Sequence, residues 1–342
     1  MNLDRFAALG CERLVAASPA EPRDSARLMV LSSGGIAHRF FRDLPQYLKK
    51  GDCLVVNDTR VFPARLAGRK PGGGSTEILL VRRCGAPDRW AALCRDARPG
   101  MKITFESGAH AEAVERTPEG GWIFLFSVPD ALEFARGHGR PPLPHYIAKA
   151  RKNSGAPPES ETDKTRYQTV FAREEGSIAA PTAGFHFTDG LCAGLKAADV
   201  VIAPVTLHVG WGTFRPLSGA PEKHKMLPEY ASVSQQTADA VNRARAAGGR
   251  IIAVGTTSSR TLETFCVDGG LSAGEGWADL FIYPPYKFKL VDGLVTNFHV
   301  PGSTPLCMAA ALAGEDNLYA AYGEAVRLGY RFYSYGDAML IL

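Results

Sequence analysis

Residues 61–128 interrupt the pattern of the chain on either side of them. Before them, residues 26–58 read as strand, turn, strand, short helix and strand, and later in the chain helices and strands alternate. Between 61 and 128 the apolar residues form short β-rich runs separated by turn residues, as in PGGGS and GAPD. Short strands at this spacing are typical of a small barrel, and alternating helices and strands are typical of α/β layers. The sequence therefore predicts a large layered α/β domain with an inserted small β-barrel domain, divided as 1–60 and 151–342 for the first and 61–150 for the second.

Several segments of the predicted α/β domain carry individual signals. SQQTADAVNRARAAGG is predicted to be a helix with a Ser cap that ends at Gly, and ADLFIY, residues 278–283, is predicted to be a strand. Residues 137–164 are rich in Pro, Gly and Ser around a basic centre, which is typical of a mobile linker or an active-site flap.

Charge and cysteine content restrict the cellular setting and the partners. The formal net charge of +4 permits a polyanionic partner without demanding one. The seven cysteines are scattered with no C-x-x-C pair, which fits reduced thiols in the cytoplasm. Charged residues interrupt the first twenty positions, and no apolar run approaches the roughly 20 residues of a membrane span. We therefore expect a cytoplasmic protein with no membrane partner.

The common cofactor and nucleophile motifs are absent from the sequence. It contains no G-x-G-x-x-G after a strand, no G-x-x-x-x-G-K-[ST] and no G-x-S-x-G. It has eight His but no H-x-H, H-E-x-x-H or H-x-x-E-H. Dinucleotide, P-loop and hydrolase chemistry are poorly supported, and no metal site is predicted.

Four segments place polar residues beside Gly, Thr or Pro directly after predicted strands. They are VVNDTRVFPAR (55–65), VTLHVGWGTFRP (205–216), AVGTTSSRTLE (253–263) and FIYPPYKFKLVDGLVTNFHVPGST (281–304). Because the strand-to-helix loops of an open α/β sheet gather at one crevice, we expect these segments to form one site. Each also has a simpler interpretation: a turn with a helix cap, an ordinary helix start, or core aromatic residues. The helix start at Gly255 is also suited to bind an anion.

A fifth segment, AAPTAGFHFT (179–188), places His186 in a loop. Pro181 and Gly184 disfavour both strand and helix, and Thr188 with Asp189 is predicted to begin a helix. His186 would then be either a general acid or base facing the crevice or a buried, hydrogen-bonded structural residue.

Six long motifs in order closely resemble one enzyme family. They are NDTRVFPARL, YQTVFAREEGSIAAPTAGFHFT, VTLHVGWGTFRP, GTTSSRTLE, DLFIYPPYKFKLVDGLVTNFHVPGST and GYRFYSYGDAMLI. Together they resemble the S-adenosylmethionine:tRNA ribosyltransferase-isomerases of queuosine biosynthesis. Two departures stand out: Leu227 lies where the family has a second His, and Ala17 lies where it has Gln.

The resemblance implies an unusual use of S-adenosylmethionine (AdoMet). Its ribosyl part is transferred to 7-aminomethyl-7-deazaguanine at the tRNA wobble position and isomerised to an epoxycyclopentanediol, which gives epoxyqueuosine while adenine and methionine leave. AdoMet is then a substrate and no cofactor is needed. The expected partners are AdoMet and tRNA carrying the modified base, and the chain is expected to be a monomer. An RNA-binding module without catalysis and an ordinary AdoMet methyltransferase remain as alternatives.

This chemistry assigns candidate roles to residues of the five segments. The sulfonium acidifies the ribose C5′–H, so a neutral His or a carboxylate suits the base. The acid/base candidates are His186 and His299, followed by His208 and Asp58. The candidates for AdoMet contact are Thr182, Gly184, Gly212, Thr213, Gly255 and Thr256, with Tyr283 and Tyr286 to stack on the purine or the wobble base. The candidates for the tRNA backbone or the methionyl carboxylate are Arg60, Arg65, Arg260, Lys287 and Lys289.

Overall fold

The computed structural model describes residues 1–214, 217 and 221–342, without the side chains of 213 and 214. The strands are β1 (Arg27–Ser32), β2 (Gly35–Phe40), β3 (Cys53–Asn57), β4 (Thr59–Val61), β5 (Arg65–Arg69), β6 (Ser75–Arg83), β7 (Arg89–Leu93), β8 (Lys102–Thr104), β9 (His110–Arg116), β10 (Trp122–Phe126), β11 (Glu174–Ser177), β12 (Val201–Leu207), β13 (Glu229–Val233), β14 (Ile251–Val254), β15 (Cys266–Val267), β16 (Gly270–Leu271), β17 (Gly274–Ala278), β18 (Gly293–Asn297) and β19 (Ala338–Ile341). The α-helices are α1 (Asp4–Ala7), α2 (Ala131–His138), α3 (His145–Asn153), α4 (Asp163–Arg166), α5 (Asp189–Ala197), α6 (Gln235–Ala246), α7 (Thr256–Thr264), α8 (Thr304–Ala313) and α9 (Glu315–Arg327).

A mixed sheet forms the centre of the α/β domain. Within the described residues its strand order is β17-β13-β12-β3-β14-β18-β19-β1-β2, and β12, β3, β14 and β18 run parallel to one another. Every residue of β3, β14 and β18 is buried, which explains their continuous apolar character, because a central parallel strand is covered on both faces. Core residues of α6, α8 and α9 pack on one face of the sheet, and Leu195 of α5 packs on the other.

The inserted segment forms a closed barrel with strand order β10-β7-β6-β5-β8-β9 in the described part of the chain. Its own hydrophobic core contains Ile78, Trp90, Ile103 and Phe124. The predicted fold, an α/β domain with an inserted small β-barrel, is confirmed. Strand β9 has no strong apolar run in the sequence, because its inward residues are the small Ala111 and Ala113, which lie on either side of the charged Glu112.

Two sequence expectations need correction. The strand predicted at 278–283 is wrong: β17 ends at Ala278, and the next residues run on without regular structure. The segment 137–164, expected as a mobile linker or an active-site flap, is not an unstructured linker, because it contains all of α3 and the first two residues of α4. A buried ion pair joins α3 to α4: Arg151 Nη1 and Nη2 each donate to an oxygen of Asp163 at 2.7 Å.

The two predicted caps are confirmed. Thr188 Oγ1 accepts from Leu191 N at 3.1 Å at the start of α5, and Ser234 Oγ accepts from Thr237 N at 3.1 Å at the start of α6. Among the described helices, none is both long enough and apolar enough to cross a lipid bilayer.

Candidate active site

The carboxyl ends of the parallel strands meet at one edge of the sheet, as predicted. Asn57, the last residue of β3, ties three of these ends together. Its Nδ2 donates to Leu207 O and to Thr257 Oγ1, both at 3.0 Å, and its Oδ1 accepts from Leu207 N at 3.1 Å. The strand ends are therefore held in a fixed arrangement around a crevice.

A cavity of about 360 Å³, the tyrosine cavity, opens at the ends of β14 and β18. Three tyrosines, Tyr146, Tyr167 and Tyr333, contribute to its walls. Four candidate residues from the sequence, Thr182, Gly255, Thr256 and His299, also line it, together with Asn297. Its volume lies in the range of small-molecule pockets. The structure thus brings together predicted residues from three separate segments.

Tyr333 has two unusual features. It has φ of +69°, a conformation that a bulky residue rarely adopts. Its side chain is buried, and among the described residues its hydroxyl has no hydrogen-bond partner. Burial also raises the pKa of this hydroxyl, so it stays a neutral donor. A strained residue with an unsatisfied buried hydroxyl at a cavity wall indicates a ligand contact.

The wall of the tyrosine cavity is aromatic and carries little charge. No Asp, Glu, Lys or Arg lines it in the part of the chain that the structure describes. The Tyr146 and Tyr333 rings meet edge to face with centroids 5.0 Å apart, and Tyr146 Oη lies 2.6 Å from Ser334 Oγ. Such a wall suits a cationic ligand without a countercharge, because aromatic faces attract cations.

His299 lies two residues after the end of β18 and lines the tyrosine cavity. Its Nε2 is 2.6 Å from Thr296 Oγ1, and its backbone N donates to Tyr322 Oη at 2.7 Å. Burial lowers the pKa of His299 to about 3, so the imidazole is neutral at physiological pH. The described residues give Nδ1 no hydrogen-bond partner, which leaves this nitrogen to act on a ligand.

His186 is placed differently from His299. Its ring is buried against Phe41, with centroids 5.0 Å apart, and it does not line the tyrosine cavity. Asn297 Nδ2 donates to His186 Nε2 at 3.1 Å, while Asn297 Oδ1 accepts from Thr182 Oγ1 at 2.8 Å. His186 therefore reaches the cavity through Asn297 and Thr182. The idea that its loop aims the imidazole into the crevice needs correction, because the ring faces the core.

A second cavity of about 680 Å³, the tryptophan cavity, lies between the barrel and the sheet edge and shares Val209 with the first. Its walls include Trp90, Trp211 and Trp277. The predicted residues His208 and Gly212 line this cavity. Thr213 follows Gly212, but its side chain lies outside the described residues.

His208 is held between two elements. Thr59 Oγ1 lies 2.8 Å from His208 Nδ1, and the ring stacks on Tyr230 with centroids 5.6 Å apart. A Cβ on Gly176 would lie 2.6 Å from His208 Nε2, so only glycine allows this approach. Burial lowers the pKa of His208 as well.

Two further candidates are buried beside the crevice without lining either cavity. Asp58 Oδ1 accepts from Thr206 Oγ1 at 2.7 Å, and burial raises the pKa of its carboxyl. Gly184 packs so closely on Thr169 that a Cβ would lie 2.8 Å from Thr169 Cγ2. Asp58 and Gly184 thus contact residues next to the cavities and do not line the cavities themselves.

The predicted cationic residues fall into three groups. Arg260 is buried and ion-paired with Glu229, so the expectation that it contacts the tRNA backbone needs correction. Arg65 donates to Leu143 O at 2.9 Å and lies near Glu77 and Glu159, which holds it to the 137–164 segment. Arg60 is exposed.

Lys287 and Lys289 are exposed on the segment that follows β17, and Tyr283 and Tyr286 on the same segment are half-buried. Glu263 organises this segment: its carboxylate accepts from the backbone N of residues 289, 290 and 291 and from Tyr286 Oη at 2.9 Å. Tyr283 stacks on Phe281. Neither tyrosine lines the two large cavities, so the structure does not bring them to the crevice in this conformation.

The described residues contain no group of three or more His, Cys, Asp or Glu arranged to hold a metal ion.

Comparisons with known proteins identify the family. A sequence profile of the family described as queuosine biosynthesis protein matches residues 8–341. The chain belongs to this family. It is 50% identical over 341 residues to the S-adenosylmethionine:tRNA ribosyltransferase-isomerase of Symbiobacterium thermophilum, with 97% of each chain covered. It is 47% identical over 340 residues to the protein of that name from Pelobacter propionicus, with 96% of each covered.

A solved structure of the queuosine biosynthesis family supports the same assignment. The crystal structure of S-adenosylmethionine tRNA ribosyltransferase from Thermotoga maritima is 37% identical, with a TM-score of 0.55 over 96% of this chain and 97% of that one. The resemblance in the six motifs is thereby confirmed, and the chain is an enzyme of the ribosyltransferase-isomerase class.

Sequence reasoning missed the tyrosines of the first cavity. Tyr333 lies in GYRFYSYGDAMLI, a motif that was recognised but from which no site residue was selected. Tyr146 lies in the 137–164 segment, whose composition indicated only a linker or flap. The aromatic spacing in the motif was the available signal, but nothing local distinguishes a cavity tyrosine from a core tyrosine.

Proposed function

We propose that the protein transfers the ribosyl moiety of AdoMet to 7-aminomethyl-7-deazaguanine at the wobble position of tRNA and isomerises it. The product is epoxyqueuosine-tRNA, and adenine and methionine are released. AdoMet is consumed as a substrate, and no separate cofactor takes part. Membership of the queuosine biosynthesis family and the names of the relatives support the reaction class.

The tyrosine cavity is the main support for placing AdoMet at a particular site. AdoMet is a sulfonium cation, and the cavity offers aromatic faces with no ammonium or guanidinium group on the described wall. The cavity lies at the carboxyl ends of the central strands, where open α/β sheets bind ligands. We therefore place AdoMet here, with the sulfonium near Tyr146 and Tyr333.

Hydroxyl groups on the wall provide the polar contacts. The unsatisfied Tyr333 hydroxyl donates to the ligand, and Thr256 at the start of α7 lies where a helix N-terminus favours an anionic carboxylate. Thr182 is oriented by its hydrogen bond to Asn297. These contacts hold AdoMet with few charged groups.

His299 is the base that the geometry favours for removal of the acidified C5′ proton. Its imidazole is neutral, and its Nδ1 is available on the wall of the same cavity. Adenine then leaves C1′ and methionine leaves C5′, while the acceptor aminomethyl group loses a proton. His208 lines the neighbouring cavity and is the second candidate for proton transfer.

The acceptor enters from the other side of Val209, through the tryptophan cavity. The proposal treats the protein as a monomer.

Product analysis tests the proposed reaction. The purified protein is incubated with substrate tRNA and AdoMet labelled either in the ribose or in the methyl group. The proposal requires ribose label in the tRNA together with free adenine and methionine. Methyl label in the RNA with S-adenosylhomocysteine would indicate a methyltransferase. Binding of tRNA without release of adenine would indicate an RNA-binding module that lacks catalysis.

A further inference from the structure

A cleft of about 480 Å³, the arginine cleft, adjoins the tryptophan cavity and is not used by the proposed chemistry. Its walls include four basic residues, Arg60, Arg136, Lys164 and Arg173. Phe62 and Glu175 line both the arginine cleft and the tryptophan cavity, so the two are contiguous. Together they follow the seam between the barrel and the α/β domain.

The arginine cleft carries an excess of positive charge. Of its two carboxylates, Asp163 is bound to Arg151 and Glu175 is bound to Arg136. Lys164 pairs only with Glu161 on the exposed surface. The side chains of Arg60 and Arg173 are exposed and have neither a hydrogen bond nor an ion pair within the described residues. Two exposed guanidinium groups in one cleft favour a phosphate-bearing ligand.

The tryptophan cavity presents a row of aromatic rings beside this charge. The row runs from His208 to Tyr230 and then to Trp277, whose ring meets Tyr230 edge to face at 6.1 Å. Trp277 is 57% exposed, although an indole is costly to leave in water. Exposed aromatic rings beside a cationic groove are the features that bind unstacked nucleotides.

We propose that this seam binds a single-stranded segment of RNA, with one base stacked on Trp277 in the tryptophan cavity and flanking phosphates held by Arg60 and Arg173 in the arginine cleft. The inference rests on the proposed function, because it names the part of the molecule that receives the tRNA. The proposal places the acceptor base in the tryptophan cavity and AdoMet in the tyrosine cavity, with Val209 between them.

The first test measures binding of an anticodon stem-loop RNA over a range of salt concentrations. The double variant Arg60→Ala/Arg173→Ala should reduce the slope of log affinity against log salt by about 1 to 2, because two phosphate contacts are lost. The matched control is Arg39→Ala/Arg243→Ala, which removes two exposed arginines that line none of the cavities described here. A slope that falls equally in both variants, or in neither, overturns the proposal.

The second test addresses stacking. Trp277→Ala should weaken stem-loop binding about 5- to 150-fold with the salt slope unchanged, because stacking does not release counterions. Phe40→Ala, which removes another partly exposed aromatic ring, should bind as the parent protein does. Parental affinity in Trp277→Ala overturns the stacking assignment. If the parent protein fails to bind the stem-loop at any salt concentration, the proposed function falls together with this inference.

Discussion

Asn297 Nδ2 donates a hydrogen bond to His186 Nε2 at 3.1 Å, so the imidazole of His186 acts as an acceptor that fixes the orientation of the Asn297 amide. With the amide fixed, its Oδ1 faces Thr182 and accepts from the hydroxyl at 2.8 Å. His186 is thus linked to the tyrosine cavity by position and not by direct contact. The geometry therefore supports a positioning role for His186 and not a role as an acid or base.

Replacing His186 should reduce stability and substrate affinity more than it reduces the rate of the chemical step. His186→Ala leaves the buried Asn297 donor unsatisfied, so we expect a loss of about 1 to 3 kcal/mol in the free energy of unfolding. KM for AdoMet should rise because Thr182 loses its fixed partner, while kcat changes less. Chemical denaturation and steady-state kinetics measure both effects.

His186→Gln provides the control, because an amide can accept the hydrogen bond but cannot titrate near neutral pH. If His186 positions Asn297, the Gln variant should regain much of the affinity. A fall in kcat of about 100- to 10,000-fold in both variants, with normal stability, would instead assign acid/base catalysis to His186.

Tyr333→Phe should separate activity from stability. The hydroxyl has no partner among the described residues, so its removal costs no internal hydrogen bond, and the free energy of unfolding should stay the same or rise. If the hydroxyl contacts AdoMet, kcat/KM should fall about 10-fold or more, as expected for loss of one ligand hydrogen bond of about 1.5 kcal/mol. Thermal unfolding and initial rates are measured on the same preparation.

Tyr330→Phe is a matched control for Tyr333→Phe, because Tyr330 is also buried but its hydroxyl contacts His38 Nδ1 at 2.8 Å, and it lines neither large cavity. This control should lose stability and keep kcat/KM. Normal kcat/KM in Tyr333→Phe would remove Tyr333 from the AdoMet site.

Breaking the Arg151–Asp163 pair should loosen the segment that carries Tyr146. Arg151→Met leaves a buried carboxylate without its partner, and loss of one member of such a pair costs about 3 to 5 kcal/mol. We expect faster proteolytic cleavage within residues 137–164 and a higher KM for AdoMet. Limited proteolysis followed by mass spectrometry locates the cleavage. Lys164→Met, which removes an exposed ion pair in the same segment, should cleave at the parental rate.

Stability should fall on mild acidification because burial favours the neutral forms of three histidines, His186, His208 and His299. Burial lowers the pKa of His186 to about 4 and that of His299 to about 3, from an ordinary 6.5. As the pH falls below about 6.5, the unfolded chain binds protons at these sites and the folded chain does not until about 4. The stabilisation is complete above 6.5, and each histidine removes up to about 1.4 kcal/mol per pH unit below it.

Urea unfolding between about pH 7.5 and 4.5 measures this dependence. His186→Gln should make the fall in stability shallower, since one of the three histidines no longer titrates. A pH dependence of His186→Gln identical to that of the parent protein would contradict the burial argument.

Features of this protein that depend on neighbours along the chain could be predicted from the amino-acid sequence. The alternation of short strands between α/β segments predicted the inserted barrel, and Thr188 and Ser234 marked the helix starts, because caps and strand periodicity are local properties. The strand-end segments were also found locally, since polar residues beside Gly and Thr directly follow apolar runs.

Which of these residues line a cavity depends on the folded arrangement of distant segments. His186 and His299 both lie in loops with Gly or Pro, yet one is turned into the core beside Phe41 and the other onto a cavity wall. The difference depends on partners such as Asn297, 111 residues from His186 in sequence. Likewise, Arg260 carries the same charge as Arg60, but its burial against Glu229 removes it from the surface. Contacts between distant segments fix side-chain direction and solvation, and periodicity along the chain carries no information about them.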